Sequence, residues 1–179
     1  MIPKEPVGLI LAGGMSQRMG EDKARICFHG IPMLARARKL LELAGIHDVI
    51  VLGPPSDRLH QDAYPGPARA ICNWLQAQVN TQDILVIPVD MPALKPETLA
   101  LLRSVPGGAY FQNQYLPFYA PCAQLPAHEA PPARMLHLVE ALRLKALDIP
   151  SHLRQQLTNV NTPGALEQLE AVTKPNNCG

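Results

Sequence analysis

The sequence predicts an α/β fold: one three-layer domain with a doubly wound, mostly parallel sheet between helices. Three observations predict it. Apolar runs at 7–11, 48–53 and 83–90 are continuous rather than alternating, as in strands covered on both faces. Between and after these runs, apolar residues recur at spacings of three and four, the period of amphipathic helices. The 179 residues are 47% hydrophobic and 17% charged, enough apolar material for one packed core without metal or disulfide staples.

Val7-Gly-Leu-Ile-Leu11 is the first strand, and it breaks at Gly13-Gly14. After a polar loop, Ile31, Leu34, Ala37, Leu41 and Ala44 mark a helix stopped by Gly45. Asp48-Val-Ile-Val-Leu-Gly53 is the second strand and runs into Pro54-Pro55. Residues 66–79 read as a helix carrying Ile71, Trp74, Leu75 and Val79. Asp83-Ile-Leu-Val-Ile-Pro-Val-Asp90 is the third strand, and Pro96 opens the next helix with Leu99 and Leu102 facing inward. Ala109-Tyr-Phe-Gln112 and Leu116-Pro-Phe-Tyr-Ala120 read as a small β-element near 109–123, shaped as a hairpin. A Pro- and Ala-rich loop at 125–133 leads to a helix over 134–144 and a short strand over 146–150. Thr162 caps the last helix with Pro163 at its first position. Residues 1–173 form the domain, and 174–179 a flexible tail.

Composition excludes several classes of function. Lys and Arg number 16 against 15 Asp and Glu, a net charge of +1, which speaks against nucleic acid or an anionic membrane as the main partner. No apolar run reaches the roughly 18 residues of a bilayer span, and Met1-Ile-Pro-Lys-Glu-Pro6 lacks a signal-peptide core. Cys27, Cys72, Cys122 and Cys178 form no C-x-x-C pair and read as reduced thiols, so a cytoplasmic setting is expected. His29, His47, His60, His128, His137 and His152 show no ligand spacing, which makes zinc chemistry unexpected.

Doubly wound sheets bind ligands beyond the carboxyl ends of their strands. The loop at 12–23, the 53–66 connection and Asp90 are therefore expected to open onto one crevice. In Leu11-Ala-Gly-Gly-Met-Ser-Gln-Arg-Met-Gly-Glu-Asp-Lys23, the paired glycines turn the chain sharply and present N–H groups. Arg18 and Lys23 add two cations, so phosphate is the natural guest. The spacing is neither that of a P-loop nor that of G-x-G-x-x-G.

This string resembles the signature of nucleotidyltransferases, and among them most of all the molybdenum cofactor guanylyltransferase family. Tyr64-Pro-Gly-Pro67, Pro88-Val-Asp-Met-Pro92 and Asn159-Val-Asn-Thr-Pro163 occur in that family's order, so the likeness runs from residue 11 to 163. The resemblance implies a nucleotide-diphospho-sugar transferase-like fold and transfer of GMP from GTP to the terminal phosphate of molybdopterin, with release of pyrophosphate. It implies that Leu11, Ala12 and Gly13 hold the base and ribose side, with Asp62 nearby, and that Gly14, Arg18 and Lys23 bind the triphosphate. Asp90 and Asn161 would hold Mg²⁺, and Asn159, Asn161 and Arg134 are candidates for the acceptor. Lys23, Arg18 and Asp90 would then be the catalytic groups. The acceptor phosphate attacks directly, so no protein base is needed. A molybdoenzyme or its chaperone would be the downstream partner.

The chain departs from the family pattern at the loops that read the base. The second strand ends in Leu52-Gly53 where the family offers Asn, and the Gly-Pro-Leu-Ala-Gly segment is Gly66-Pro67-Ala68-Arg69-Ala70. CTP in place of GTP, another phosphorylated acceptor, and a non-catalytic cofactor carrier are the alternatives these departures leave. Arg143 and Lys145 join Arg134 as cations of the C-terminal half.

Overall fold

The computed structural model describes residues 5–12, 26–53, 66–125 and 130–173. Eight strands and five helices succeed one another along these segments: β1 (Val7–Leu11), β2 (Cys27–Phe28), β3 (Ile31–Pro32), α1 (Met33–Leu43), β4 (Val49–Leu52), α2 (Pro67–Gln76) and β5 (Gln82–Pro88), then α3 (Pro96–Arg103), β6 (Ala109–Phe111), β7 (Phe118–Ala123), α4 (Met135–Ala141), β8 (Lys145–Leu147) and α5 (Pro163–Val172).

Six strands form one sheet in the order β4-β1-β5-β7-β6-β8, and β2 and β3 form a separate hairpin. β1 pairs in parallel with β4 (Leu9 opposite Ile50) and with β5 (Leu9 opposite Val86). β7 is antiparallel to both β5 and β6, and β8 is parallel to β6. Five strands thus share one direction and β7 alone opposes it. The small element expected near 109–123 is no separate feature. Its two strands sit inside the main sheet, where Leu85 of β5 faces Tyr119 of β7.

The continuous apolar runs arise from two cores, one on each face. Ile10, Leu85 and Ile87 point to the face covered by α1, α3 and α5, with Leu41, Leu99, Leu102 and Leu169. Leu9, Leu11, Ile84 and Val86 point to the other face, with Ile71, Leu75 and Leu138 of α2 and α4. Both sets of alternate residues are buried, which is why no polar residue interrupts β1. Packing on the first face is tight: a Cβ on Gly8 would lie 2.7 Å from Leu41 Cδ1.

Several boundaries differ from the expectation. The helix foreseen from Ile31 begins at Met33, because Ile31-Pro32 pairs with Cys27-Phe28 across a turn at His29-Gly30. Ile31 is 47% exposed rather than part of the helical stripe. The helix over 66–79 stops at Gln76, and Val79, past its end, is 97% exposed. The helix over 134–144 spans Met135–Ala141, and the strand over 146–150 spans Lys145–Leu147. Thr162 caps α5 as expected, its Oγ1 accepting from the Ala165 N–H at 3.2 Å. No disulfide links Cys72 or Cys122. Among the described residues, no helix is long and apolar enough to cross a membrane.

Candidate functional site

The carboxyl ends of β1 and β5 lie side by side, since Leu11 pairs with Pro88. The Val89 N–H donates to the Leu11 carbonyl at 3.0 Å, and the Ala12 N–H donates to the Leu52 carbonyl at 2.8 Å. The ladder therefore continues past the strands and fixes where the chain leaves the sheet. Immediately beyond, Asp90 is half-buried, the first polar side chain after the buried run Ile84–Val89.

A cleft of about 250 Å³ opens at this edge. Its near wall is Leu11, Pro67 and the segment Pro88 to Met91, and its far wall is Asn113, Gln114, Tyr115 and Leu116, with Met135 and Asn159. α2 begins at Pro67, and the unpaired backbone N–H groups of a helix's first turn favour anions. Leu11 and Asp90 from distant parts of the sequence thus share one crevice, as the topology led one to expect.

Five hydrogen bonds hold the segment 153–161 against this edge. Val160 N–H donates to the Asp90 carbonyl at 2.7 Å. Gln114 Nε2 donates to the Leu157 carbonyl at 2.6 Å. Gln156, only 6% exposed, accepts at Oε1 from Lys95 N–H (3.1 Å) and from Thr98 Oγ1 (2.6 Å), while its Nε2 donates to Glu97 Oε1. Buried carboxamides need such full pairing. The result is a strap that brings Asn159 to the cleft and ties it to the Asp90 backbone. On the opposite side of the turn, Arg36 of α1 donates through Nε and Nη2 to the Pro92 carbonyl at 3.3 and 3.2 Å and lies 4.9 Å from the Phe28 ring centre. Burial lowers the pKa of this guanidinium. The backbone at Asp90 and at Pro92 just beyond it is therefore held from outside the sheet.

Of the residues foreseen from sequence, Leu11, Asp90 and Asn159 line the cleft, and Ala12 comes directly after β1. Asn161 is exposed, next to the Val160 that bonds Asp90. Arg134 is exposed at the N-cap of α4, beside the cleft residue Met135. Gly13, Gly14, Arg18, Lys23 and Asp62 lie outside the described residues. The sequence reading missed the far wall. Tyr115 stacks on Tyr110 of β6 with ring centres 6.0 Å apart, and Asn113 takes the left-handed φ of 63° that turns the chain out of β6. The signal available was Asn-Gln between two short strands, a turn composition without any hint of what it would face.

Among the described residues, no three His, Cys, Asp or Glu side chains gather into a metal cage. A hard divalent cation held by one carboxylate and by substrate phosphates needs no such cage, and Asp90 at the cleft fits that demand.

Residues 8–116 match the family described as the MobA-like NTP transferase domain. The chain belongs to this family. Among similar proteins is a molybdenum cofactor guanylyltransferase of Xanthomonas euvesicatoria, 33% identical over 87% of this chain and 89% of that one. Another, from Pseudomonas fluorescens, carries the same name and is 31% identical over 92% of this chain and 94% of its own. The solved molybdopterin-guanine dinucleotide biosynthesis protein A of Archaeoglobus fulgidus superposes with a TM-score of 0.56 at 20% identity, covering 93% of this chain and 97% of that one. That likeness concerns the fold, an α/β sheet like the one described above. The MobA-like match covers both walls of the cleft up to Leu116, while α4, β8, the strap and α5 lie beyond it.

Proposed function

We propose that the chain is a molybdenum cofactor guanylyltransferase that transfers GMP from GTP to the terminal phosphate of molybdopterin, with Mg²⁺ as cofactor. The observation that carries this reading is the 33% identity over 87% of the chain to a relative of that name. The placement of Leu11 and Asp90 on one cleft supports it.

In this reading a phosphate oxygen of the acceptor bonds to the α-phosphorus of GTP, the bond to the bridging oxygen of the β-phosphate breaks, and pyrophosphate leaves. The acceptor oxygen is already ionised, so no proton has to be taken by the protein. Leu11, Ala12 and Gly13 offer backbone groups to the base and ribose. Gly14, Arg18 and Lys23 hold the triphosphate, with Lys23 at the α-phosphate and Asp62 on the nucleotide side. Asp90 and Asn161 hold Mg²⁺, which when bound neutralises charge on the phosphates. Asn159 and Arg134 stand on the acceptor's path. Catalysis is then positioning and charge stabilisation. The product passes to a molybdoenzyme or its chaperone in the cytoplasm.

The test is pyrophosphate release from the purified protein supplied with molybdopterin, Mg²⁺ and either GTP or CTP. Turnover with GTP and formation of the guanine dinucleotide are expected. Faster turnover with CTP would move the assignment to a cytidylyltransferase, an alternative left open by Leu52 where the family offers Asn. Binding of nucleotide without turnover would make the protein a carrier.

A further inference from the structure

The guanylyltransferase reading leaves open which groups grip the acceptor, and strand direction narrows the choice. β8 runs parallel to β6, with Ala109 opposite Lys145 and Phe111 opposite Leu147. Because β7 opposes both β5 and β6, β8 runs the same way as β5. Leu147 therefore ends on the edge of the sheet that carries Asp90, whereas Arg143 and Lys145 lie toward the other edge. The two cations that the sequence offered are on the wrong side.

The residues just past Leu147 are on the right side. A second hollow, of about 390 Å³, is lined by Gln112, Asn113, Asp148, Ile149 and Arg154. Asn113 also lines the first cleft, so the two hollows share a wall. From β5 to β8 the sheet advances by three strand spacings, about 14 Å in all. That is the scale of a fused pterin ring system with a phosphomethyl arm, laid from Asp90 toward Asp148.

The lining is matched to one ring edge. A carboxylate accepts only, a guanidinium donates only, and the two carboxamides do both. Half-buried Ile149 supplies an apolar surface for a ring face. Between described residues the one ion pair is Lys39–Glu42, so Asp148 and Arg154 form no direct pair with each other. A 2-amino-4-oxopyrimidine presents two adjacent donors, the amino group and N3–H, and next to them the 4-oxo acceptor. Guanine and pterin both carry this edge. The hollow lies on the far side of Asn113 from Leu11 and Pro67, where the nucleotide belongs.

We infer that this second hollow is the pterin subsite of the acceptor, Asp148 accepting from the amino group and N3–H while Arg154 donates to the 4-oxo oxygen. The inference rests on the proposed guanylyl transfer, but Asp148, Ile149 and Arg154 lie beyond the segment matched to the family. The ligand buries the pair, and a charged hydrogen bond then gains its full strength.

The test titrates 6-hydroxymethylpterin by fluorescence quenching into the wild type, Asp148→Asn, Arg154→Ala and the opposite-edge control Arg143→Ala. KM for molybdopterin and for GTP are measured on the same proteins, with melting curves as a check of fold. Asp148→Asn and Arg154→Ala should weaken pterin binding and raise KM for molybdopterin about 10- to 100-fold. KM for GTP and the melting temperature should stay put, Arg143→Ala should behave as wild type, and Asp148→Glu should recover part of the loss. Unchanged pterin affinity in both variants overturns the inference, as does a wild type that binds no pterin. A rise in KM for GTP instead shows that the hollow reads guanine and overturns it too. A wild type that binds pterin through Asp148 yet makes no dinucleotide upholds the subsite and defeats the guanylyl-transfer reading.

Discussion

Asp90 owes its position to six buried neighbours before it, Ile84 to Val89, which fix the strand so that its carboxylate emerges at a defined point. Replacing it by Ala leaves those six buried neighbours in place, so Asp90→Ala should still fold and lose roughly a hundredfold or more in turnover. Steady-state rates across a Mg²⁺ series check this, since the residual activity should no longer respond to the ion. Tyr119 offers a second prediction. Burial first, and then Asp83, whose Oδ2 accepts from the phenol at 3.2 Å, push its pKa up to about 12. The ordinary phenol value, near 10, applies to the unfolded chain. Between these values the folded protein holds the proton that the unfolded chain has lost, so this contribution to stability is complete below pH 10 and falls as pH rises toward 12. Tyr119→Phe should flatten that part of the stability curve, as denaturant titrations over alkaline pH would show. Cys72 is fully buried, and desolvation pushes its thiol up to about 11. Cys27 and Cys122 are exposed. Alkylation and then peptide mapping should mark those two and spare Cys72 in the native state. Asp90 was legible because it ends a long apolar run between two prolines. Asp148 also follows a strand, but the three residues Lys145-Ala-Leu147 say nothing about their direction in a sheet.

The strap around Gln156 shows how elements outside the sheet contribute. Gln156→Ala would leave the Lys95 N–H and the Thr98 hydroxyl without their acceptor, a loss of about 2 kcal/mol. The melting temperature should fall by about 4–8 °C. Hydrogen exchange at the Val160 amide should quicken, because its bond to the Asp90 carbonyl depends on the strap's position. Retained protection at Val160 would show that the strap is held elsewhere. This network is not visible in the sequence. Asn159-Val-Asn-Thr-Pro163 stands out as a motif, whereas Gln156 is one polar residue in the polar stretch Arg154-Gln-Gln156. The longer elements were legible because burial on one or two faces stamps a period on the chain: β1, β4, β5, α2, α3 and α5 all appear near their expected places. The hairpin β2–β3 was not, since two-residue strands carry no period. Its turn is held from afar, with the His29 N–H donating to Glu170 of α5.

At the scale of the whole molecule, the nucleotide should act as a clamp on the folded state. GTP with Mg²⁺ at a hundred times its Kd adds about 2.7 kcal/mol. In a domain of this size that raises the melting temperature by roughly 5–11 °C. A thermal-shift series with GTP, CTP, ATP and UTP, with and without Mg²⁺, reads this directly, and the guanine nucleotide should give the largest shift. The fold class was legible from residues 7–103, where strands and helices alternate. The second half of the sheet was not. Short strands do not declare their partners, and the 109–123 hairpin could equally have stood apart. Its insertion beside β5 is what places Asn113 and Tyr115 opposite Asp90.

The reversed strand β7 divides the ligand edge in two. Every other strand of the sheet delivers its carboxyl end to that edge, but β7 delivers its amino end, by way of the loop from Asn113 to Leu116. That loop is a seam between two half-sheets, each with its own run of co-directional strands. Exchanging it for a longer or shorter loop would alter the opening beside Asp90 while the pairings of β1 with β4 and of β6 with β8 stay as they are. A graft at the seam would therefore test the proposed acceptor side while the half-sheet of β4, β1 and β5 stays as it is.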